Sequence, residues 1–242
     1  MTKRPYVIEF IGLPGAGKTT LCQALLKDVR SKQNEITLIQ DASRHRIAWL
    51  HESRIKRFSS LVFYTLGRAK SLFMQCVLVA LKMRPLHLTG FRLMLAYPHF
   101  DMITAKIAAR LSAPIVLYDQ GCLQYLWSVH LRSVLPDENE CHALWDLTIS
   151  KPDMVVELRC SADVSHARVR ERPSNDSRFD RMDDDTFFRI MNDSAVKLQE
   201  IVKCYTDYTD VPVIELDCTD APERNADIIL EALQELEVVN EG

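Results

Sequence analysis

The chain has 242 residues, of which 47% are hydrophobic and 26% are charged, and its formal net charge is −3. These proportions are close to globular averages of about 45–50% and 25%, which argues against a disordered or fibrous protein. Seven cysteines without a C-x-x-C pair indicate reduced thiols and predict a cytoplasmic protein. The first residues also lack the long apolar segment of a secretory signal.

Short apolar segments alternate with helical patterns along the chain. The apolar segments are β-branched and nearly continuous, as buried parallel strands are, and they span Tyr6–Ile11, Ile36–Ile39, Ile115–Tyr118, Met154–Leu158 and Val211–Leu216. The helical patterns include Lys18–Arg30, Leu123–Leu135, Asp185–Tyr208 and Arg224–Leu236. This alternation predicts a three-layer α/β fold, with residues 1–242 in one domain.

Residues 42–110 have helical spacing without a clear strand, so we expect a helical insertion between the second and third strands. Within it, residues 43–110 contain twelve Lys and Arg against two acids. Such a basic block is either a solvated face or a surface for an anionic substrate, a nucleic acid or a membrane. Its apolar run, residues 71–81, is about half of the roughly 20 residues that a membrane span needs, which predicts a buried or interface helix.

The segment GLPGAGKTT, residues 12–20, fits the phosphate-binding pattern G-x-x-x-x-G-K-[ST] and lies between a predicted strand and a predicted helix. The glycines allow successive backbone N–H groups to point at one phosphate, and the helix N-terminus adds its positive end. Lys18 would reach the β- and γ-phosphates, and Thr19 would bind Mg²⁺. The predicted contacts to ATP from this loop are Gly12, Gly15, Ala16, Gly17, Lys18, Thr19 and Thr20.

ATP is the expected nucleotide because no N-K-x-D guanine-reading motif follows the later strands.

Two acids follow predicted strands. Asp119 ends the third strand, where parallel sheets build their sites, so it is a candidate to hold Mg²⁺ through water; the alternative is a simple turn residue. Asp41 ends the second strand and is a candidate to accept the proton of an acceptor hydroxyl; the alternative is a helix cap.

Arginines cluster around a Pro-Ser-Asn turn in residues 168–185, which we predict to form a lid. Arginines that close over a γ-phosphate stabilise the charge that develops during phosphoryl transfer. The alternative is a surface helix in which nearby aspartates balance the positive charge. The arginines of this segment are Arg168, Arg170, Arg172, Arg178 and Arg181.

The loop, the segment PDMVVELRCSADVSHARVRER, the sequence DSRFD and the carboxyl-terminal VPVIELDCTDAPERNADII resemble the thymidylate kinase-like branch of the P-loop nucleoside and nucleotide kinases. This resemblance implies an ATP-dependent small-molecule kinase with a five-stranded parallel sheet in the order 2-3-1-4-5. It implies that Arg172 and Arg178 approach the transferring phosphate. It also implies that Arg168 and the loop containing Thr219, Ala221 and Pro222 flank adenine.

The sequence departs from that family where the acceptor would bind. Thymidylate kinases have Asp-Arg at the end of the third strand, whereas this chain has Asp119-Gln120-Gly121, and the Glu-Pro of the second strand is replaced by Asp41-Ala42. We therefore expect an acceptor other than thymidylate: a nucleoside, a nucleotide or another hydroxyl compound, anionic in view of the basic block. No nucleic-acid motif is recognised, and a homodimer is left open.

A competing hypothesis is a nucleotide-switched binding protein whose basic helical block engages a nucleic acid, a membrane or a protein. Such a switch does not need an arginine-rich lid over the γ-phosphate, whereas a kinase does. The lid therefore favours the kinase.

Overall fold

The computed structural model describes residues 4–31, 36–39, 70–82, 88–110, 114–131, 133–172, 177 and 179–236. The strands are β1 (Tyr6–Gly12), β2 (Ile36–Ile39), β3 (Ile115–Tyr118), β4 (Met154–Arg159) and β5 (Val213–Asp217). The helices are α1 (Lys18–Ser31), α2 (Lys70–Lys82), α3 (Leu88–Arg110), α4 (Cys122–His130), α5 (Glu138–Leu147), α6 (Ala162–Arg170), α7 (Asp184–Thr209) and α8 (Pro222–Glu235).

The five strands form one parallel sheet in the order β2-β3-β1-β4-β5. The α/β class with a parallel sheet is thus confirmed, and the order is the one that the sequence resemblance implied. The chain runs from β1 out to the edge strand β2, returns through β3 and continues on the other side of β1 with β4. Binding sites in such sheets form outside the carboxyl ends of the strands where this change of direction occurs.

Each face of the sheet carries its own layer of helices, because successive side chains of a strand point to opposite faces. Ile8 and Phe10 of β1 pack in a core with residues of α1 and α8. Val7 and Ile11 face the other way, into a core that includes residues of α2, α3, α4, α5 and α7. The result is the predicted three-layer arrangement, with β1 in the middle of the sheet.

The predicted helical insertion corresponds in the described residues to α2 and α3, which lie between β2 and β3 in the chain. The buried Asp101 of α3 anchors this part to the loop before β4, where it accepts hydrogen bonds from the backbone N–H of Ile149 at 3.0 Å and of Ser150 at 2.8 Å. Helix α2 buries one face, including Leu72, and exposes another, including Leu81. No described helix is long and apolar enough to cross a membrane.

The helix predicted over Leu123–Leu135 is shorter at its carboxyl end than expected. Helix α4 ends at His130, and a separate helix, α5, begins at Glu138. A capping box starts α5: Asp137 accepts from the N–H of Glu140 at 2.9 Å, and the Glu140 side chain accepts from the N–H of Asp137 at 3.2 Å. These reciprocal bonds satisfy two N–H groups that a helix start leaves unpaired.

Candidate active site

The loop between β1 and α1 has the curled backbone that its glycines make possible. Gly15 and Gly17 have φ values of +82° and +93°, which side-chain-bearing residues rarely adopt. A Cβ atom on Gly12 would lie 2.8 Å from the carbonyl oxygen of Leu158, so β4 leaves room only for glycine there. The N–H of Ala16 turns back to the carbonyl of Leu13 at 3.1 Å.

Lys18 reaches back over this loop from the first turn of α1. Its Nζ donates to the carbonyl oxygens of Gly12 at 2.8 Å and Leu13 at 3.1 Å. Burial lowers the pKa of Lys18 to about 8; Asp119 nearby opposes this change, and the positive charge of Arg172 adds to it. The ammonium group is thus poorly solvated, and a nearby anion such as phosphate would stabilise its charged form.

Thr19 and Asp119 connect the loop to the end of β3. The Thr19 hydroxyl donates to Asp119 Oδ2 at 2.7 Å. A hydroxyl and a carboxylate are hard oxygen ligands of the kind that Mg²⁺ binds, usually together with water and phosphate oxygens. These two residues therefore fit the predicted metal. The described residues contain no group of three or more His, Cys, Asp and Glu side chains that could hold a metal ion by themselves.

A buried carboxylate of β1 caps the helix that follows Asp119. Gly121 is the N-cap of α4 and has no side chain to bond the first N–H groups. Glu9, which is fully buried, accepts the N–H of Gln124 at 2.8 Å instead. A Cβ atom on Gly121 would lie 2.4 Å from the Glu9 carboxyl group, so glycine is required at this contact. Burial raises the pKa of Glu9 to about 7, although hydrogen bonds from Gln124 and Cys122 oppose the rise.

Gln124 links this helix to the phosphate-binding loop. Its backbone is held by Glu9, and its side-chain Oε1 accepts the N–H of Gly12 at 3.0 Å. Gln124 also lines the cavity. Gln124 was not among the predicted site residues. Its signal is a polar pair, Gln124 and Ser128, spaced four residues apart on a mostly apolar helix.

Two arginines of the predicted lid line the cavity: Arg168 in α6 and Arg172 just after its end. Arg168 donates to the carbonyl of Cys218 at 2.9 Å and lies 3.4 Å from the carbonyl of Gly15, so it joins the ends of β1 and β5. Arg172 lines the same cavity, close enough to Lys18 to affect its pKa. Helix α6 starts at a Ser161 cap, whose side chain accepts the N–H of Val164 at 3.2 Å.

Arg170 makes different contacts from Arg168 and Arg172, which line the cavity. It donates to the carbonyl of Asp180 at 2.9 Å, to the carbonyl of Met182 and to Asp184 Oδ1 at 2.8 Å. His166 also bonds Asp184 Oδ1, at 2.8 Å. These contacts fasten the end of the predicted lid segment to α6. The structure therefore separates the arginines by direction: Arg170 holds the backbone after the turn, while the other two face the cavity.

A cavity of about 710 Å³ opens between these groups. This volume lies within the range of about 300–1,000 Å³ that small-molecule sites occupy. A much smaller cavity, of about 30 Å³, adjoins it between α3 and α4; both share Gln120, Gln124 and Ser128 as lining residues. The large cavity is lined by Pro14, Gly15, Ala16, Gly17, Lys18, Thr19, Thr20, Leu21, Asp119, Gln120, Gln124, Trp127, Ser128, Leu158, Arg168, Arg172, Ser177, Phe179, Cys218, Asp220, Pro222 and Asn225.

The structure brings most of the predicted site residues together around the cavity, with some exceptions. Gly12 does not line it, and its N–H is bonded to Gln124. Of the loop expected beside adenine, Pro222 lines the cavity, but Thr219 and Ala221 do not. The Thr219 hydroxyl instead donates to Asp217 Oδ1 at 2.6 Å, and Ala221 is the N-cap of α8. The predicted residues Asp41 and Arg178 lie outside the described part of the chain.

Aromatic residues on the lid side of the cavity were also not predicted. Trp127 of α4 and Phe179 stack with their ring centroids 6.4 Å apart, and both are buried. Phe179 belongs to the DSRFD sequence, so this contact attaches that segment to α4. The sequence offers no local signal for it, because the two residues are distant in the chain.

No protein-family model and no curated protein matches the sequence. Solved structures with a similar fold exist. Two structures of deoxyadenosine kinase from M. mycoides are similar over 95% of this chain and 99% of the kinase, with 14% sequence identity. Their TM-scores are 0.51, for the kinase with the products dCMP and a flexible dCDP, and 0.50, for the kinase with dATP. The chain thus has the fold of a P-loop nucleoside kinase.

Proposed function

We propose that this protein transfers the γ-phosphoryl group of Mg-ATP to a hydroxyl group of a small acceptor, of the nucleoside class or a related hydroxyl compound. The observation that carries the proposal is that the loop lysine, the Thr19–Asp119 pair, Arg168 of α6 and Arg172 just after α6 line one cavity. Phosphoryl transfer requires positioned positive charge around the phosphate more than covalent chemistry by the protein.

Each of these groups has a role in the proposed reaction. The loop N–H groups and Lys18 bind the phosphates, and Thr19 and Asp119 would hold Mg²⁺, which neutralises charge on the triphosphate when bound. Arg172 approaches the transferring phosphoryl group, where a cation stabilises developing charge. Arg168, which donates to the carbonyl of Cys218 and lines the cavity together with Pro222, flanks the base of ATP.

The acceptor would enter from the side of α3 and α4. The lining residues shared by the two cavities, Gln120, Gln124 and Ser128, are neutral hydrogen-bonding groups. They can bind hydroxyl and carbonyl oxygens, but they lack the charge that holds a monophosphate most strongly. This chemistry favours a nucleoside over thymidylate, and so an uncharged acceptor in place of the anionic one expected from the basic block. The fold shared with deoxyadenosine kinase supports the same class.

A thermal-shift screen tests this proposal and identifies the acceptor class. Nucleosides, nucleotides and phosphosugars would each be added with Mg²⁺ and a non-hydrolysable ATP analogue, because a ligand that binds the folded state raises the melting temperature. We expect stabilisation by the analogue in the wild type, a further rise with a nucleoside-class compound, and loss of the analogue's effect in Lys18→Ala. Equal stabilisation of the wild type and of Lys18→Ala by the analogue would contradict the proposed site.

A further inference from the structure

One buried polar atom in the wall of the candidate active site lacks a hydrogen-bond partner. Asn225, near the start of α8, lines the large cavity, and only 3% of its surface is exposed. Its side-chain Oδ1 is buried and has no hydrogen-bond partner among the described residues. Such atoms are few in native proteins, and each one requires a physical explanation.

The amide group of Asn225 has a defined orientation. Its Nδ2 donates to the carbonyl oxygen of Asp217, the last residue of β5, at 2.9 Å. A carbonyl oxygen only accepts hydrogen bonds, so the amide nitrogen must be the atom on this side. The atom without a partner is therefore an acceptor, and an N–H or O–H donor would satisfy it.

Other polar side chains at this end of the cavity have partners within the protein. Arg168 donates to the carbonyl of Cys218, and the Asp220 carboxylate accepts from Arg224 at 3.1 Å. Of the described side-chain atoms that are buried without a partner, only Asn225 Oδ1 belongs to a residue that lines the large cavity. We therefore expect the missing donor to come from a ligand of this cavity.

The neighbours of Asn225 are the residues proposed to flank the base of ATP. Arg168 lies 3.4 Å from the carbonyl of Gly15 and bonds the carbonyl of Cys218, so it connects the phosphate-binding loop with the segment before α8. Pro222, three residues before Asn225, also lines the cavity. A nucleotide with its phosphates on the loop would therefore bring its base to this side.

We propose that Asn225 sets the base specificity of the nucleotide site, because its Oδ1 accepts a hydrogen bond from the 6-amino group of adenine. This inference rests on the proposed function and deepens it. Adenine has an amino donor at position 6, whereas guanine has a carbonyl oxygen there. Two acceptors would then face each other, and a site that leaves a buried polar group unpaired rejects the analogue.

The test compares three nucleotides that differ at position 6 of the purine. ATP has an amino group there, purine riboside triphosphate has hydrogen, and inosine triphosphate has a carbonyl oxygen. Calorimetry with the full-length protein and Mg²⁺ measures each affinity. We expect the wild type to bind ATP at least about tenfold more tightly than purine riboside triphosphate, and inosine triphosphate most weakly.

Asn225→Ala should lower the affinity for ATP to about that for purine riboside triphosphate, whose own affinity should change little. This split separates base recognition from a structural role, since damage to the loop through the lost bond to Asp217 would weaken all three nucleotides alike. Asn192→Ala, at an exposed position of α7, is the matched control and should bind as the wild type does. If circular dichroism shows that Asn225→Ala does not fold, Asn225→Leu, which has a similar shape without the amide, replaces it.

Three results would overturn this inference alone. These are equal affinities of the wild type for ATP and purine riboside triphosphate, a full preference for ATP that persists in the Asn225 variant, or an equal loss for all three nucleotides in that variant. A wild type that binds none of the three would instead contradict the proposed function, and this inference with it.

Discussion

The hydroxyl of Thr19 donates a 2.7 Å hydrogen bond to Asp119 Oδ2, although 100 residues separate them in the chain. This bond joins the phosphate-binding loop to the end of β3. It brings a hydroxyl and a carboxylate together where the proposed function needs Mg²⁺.

Asp119→Asn should keep an oxygen that accepts from Thr19 but should remove the negative charge that attracts the metal. We expect the Mg²⁺ concentration for half-maximal turnover to rise at least about tenfold, with turnover at saturating Mg²⁺ reduced. A Mg²⁺ titration of the reaction measures both. Asp207→Asn, at an exposed position of α7, is the matched control and should behave as wild type. An unchanged Mg²⁺ dependence in Asp119→Asn would remove this residue from the metal site.

Arg172→Ala should leave ATP affinity within a few fold and should slow turnover by about 100-fold, because the proposed work of this side chain is on transition-state charge. Calorimetry gives the affinity, and steady-state kinetics give the rate. The sequence predicts the same behaviour for Arg178→Ala. Arg189→Ala on the exposed side of α7 serves as the control. Full turnover in Arg172→Ala would reduce its role to that of a surface charge.

The lowered pKa of Lys18, about 8, predicts a pH dependence of ATP binding. Phosphate favours the charged ammonium, so bound ATP should raise this pKa, and affinity should be constant below pH 8 and fall as the pH rises through it. Binding near pH 8 should therefore take up protons. Calorimetry in two buffers of different ionisation enthalpy measures the uptake. Proton uptake that persists unchanged in Lys18→Arg, whose guanidinium does not lose its proton in this pH range, would assign the uptake to another group.

Thymidylate should be a poor substrate, because the sequence resemblance places Gln120 where thymidylate kinases have an arginine. A neutral amide replaces a bidentate cation there, which weakens monophosphate recognition. We expect a kcat/KM for thymidylate below about 10⁴ M⁻¹s⁻¹, the lower end of the usual enzyme range. Gln120→Arg should raise this value more than Gln120→Lys, which adds charge without the planar fork. Efficient phosphorylation of thymidylate by the wild type would show the inference wrong.

The sequence predicted those parts of the molecule that depend on neighbouring residues. Gly12 to Thr20 form one contiguous motif, and β2 and β3 have the predicted limits because their apolar runs are short and sharply bounded. Helix α5 was missed although Asp137 and Glu140 have the capping-box spacing, since its apolar pattern is weak.

The remaining features depend on contacts between distant segments. Glu9 is the one acid in an apolar strand, and nothing near it in the chain shows that it caps α4 at Gly121. The separate directions of Arg168 and Arg170 follow from where α6 meets the loop and α7. Such contacts require the packed structure.

The most direct test of the account follows the γ-phosphate itself. Wild-type protein would be incubated with Mg²⁺, ATP labelled in the γ-phosphate and a panel of nucleosides, nucleotides and sugars. Lys18→Ala and Lys27→Ala, both on α1, would be the matched variants, since Lys27 is exposed. The account predicts label in a phosphorylated small molecule, most readily a nucleoside monophosphate, with the wild type and Lys27→Ala but not with Lys18→Ala. Bound ATP whose label remains in ATP or appears only as inorganic phosphate with every acceptor would contradict it, and would favour a nucleotide-switched binding protein.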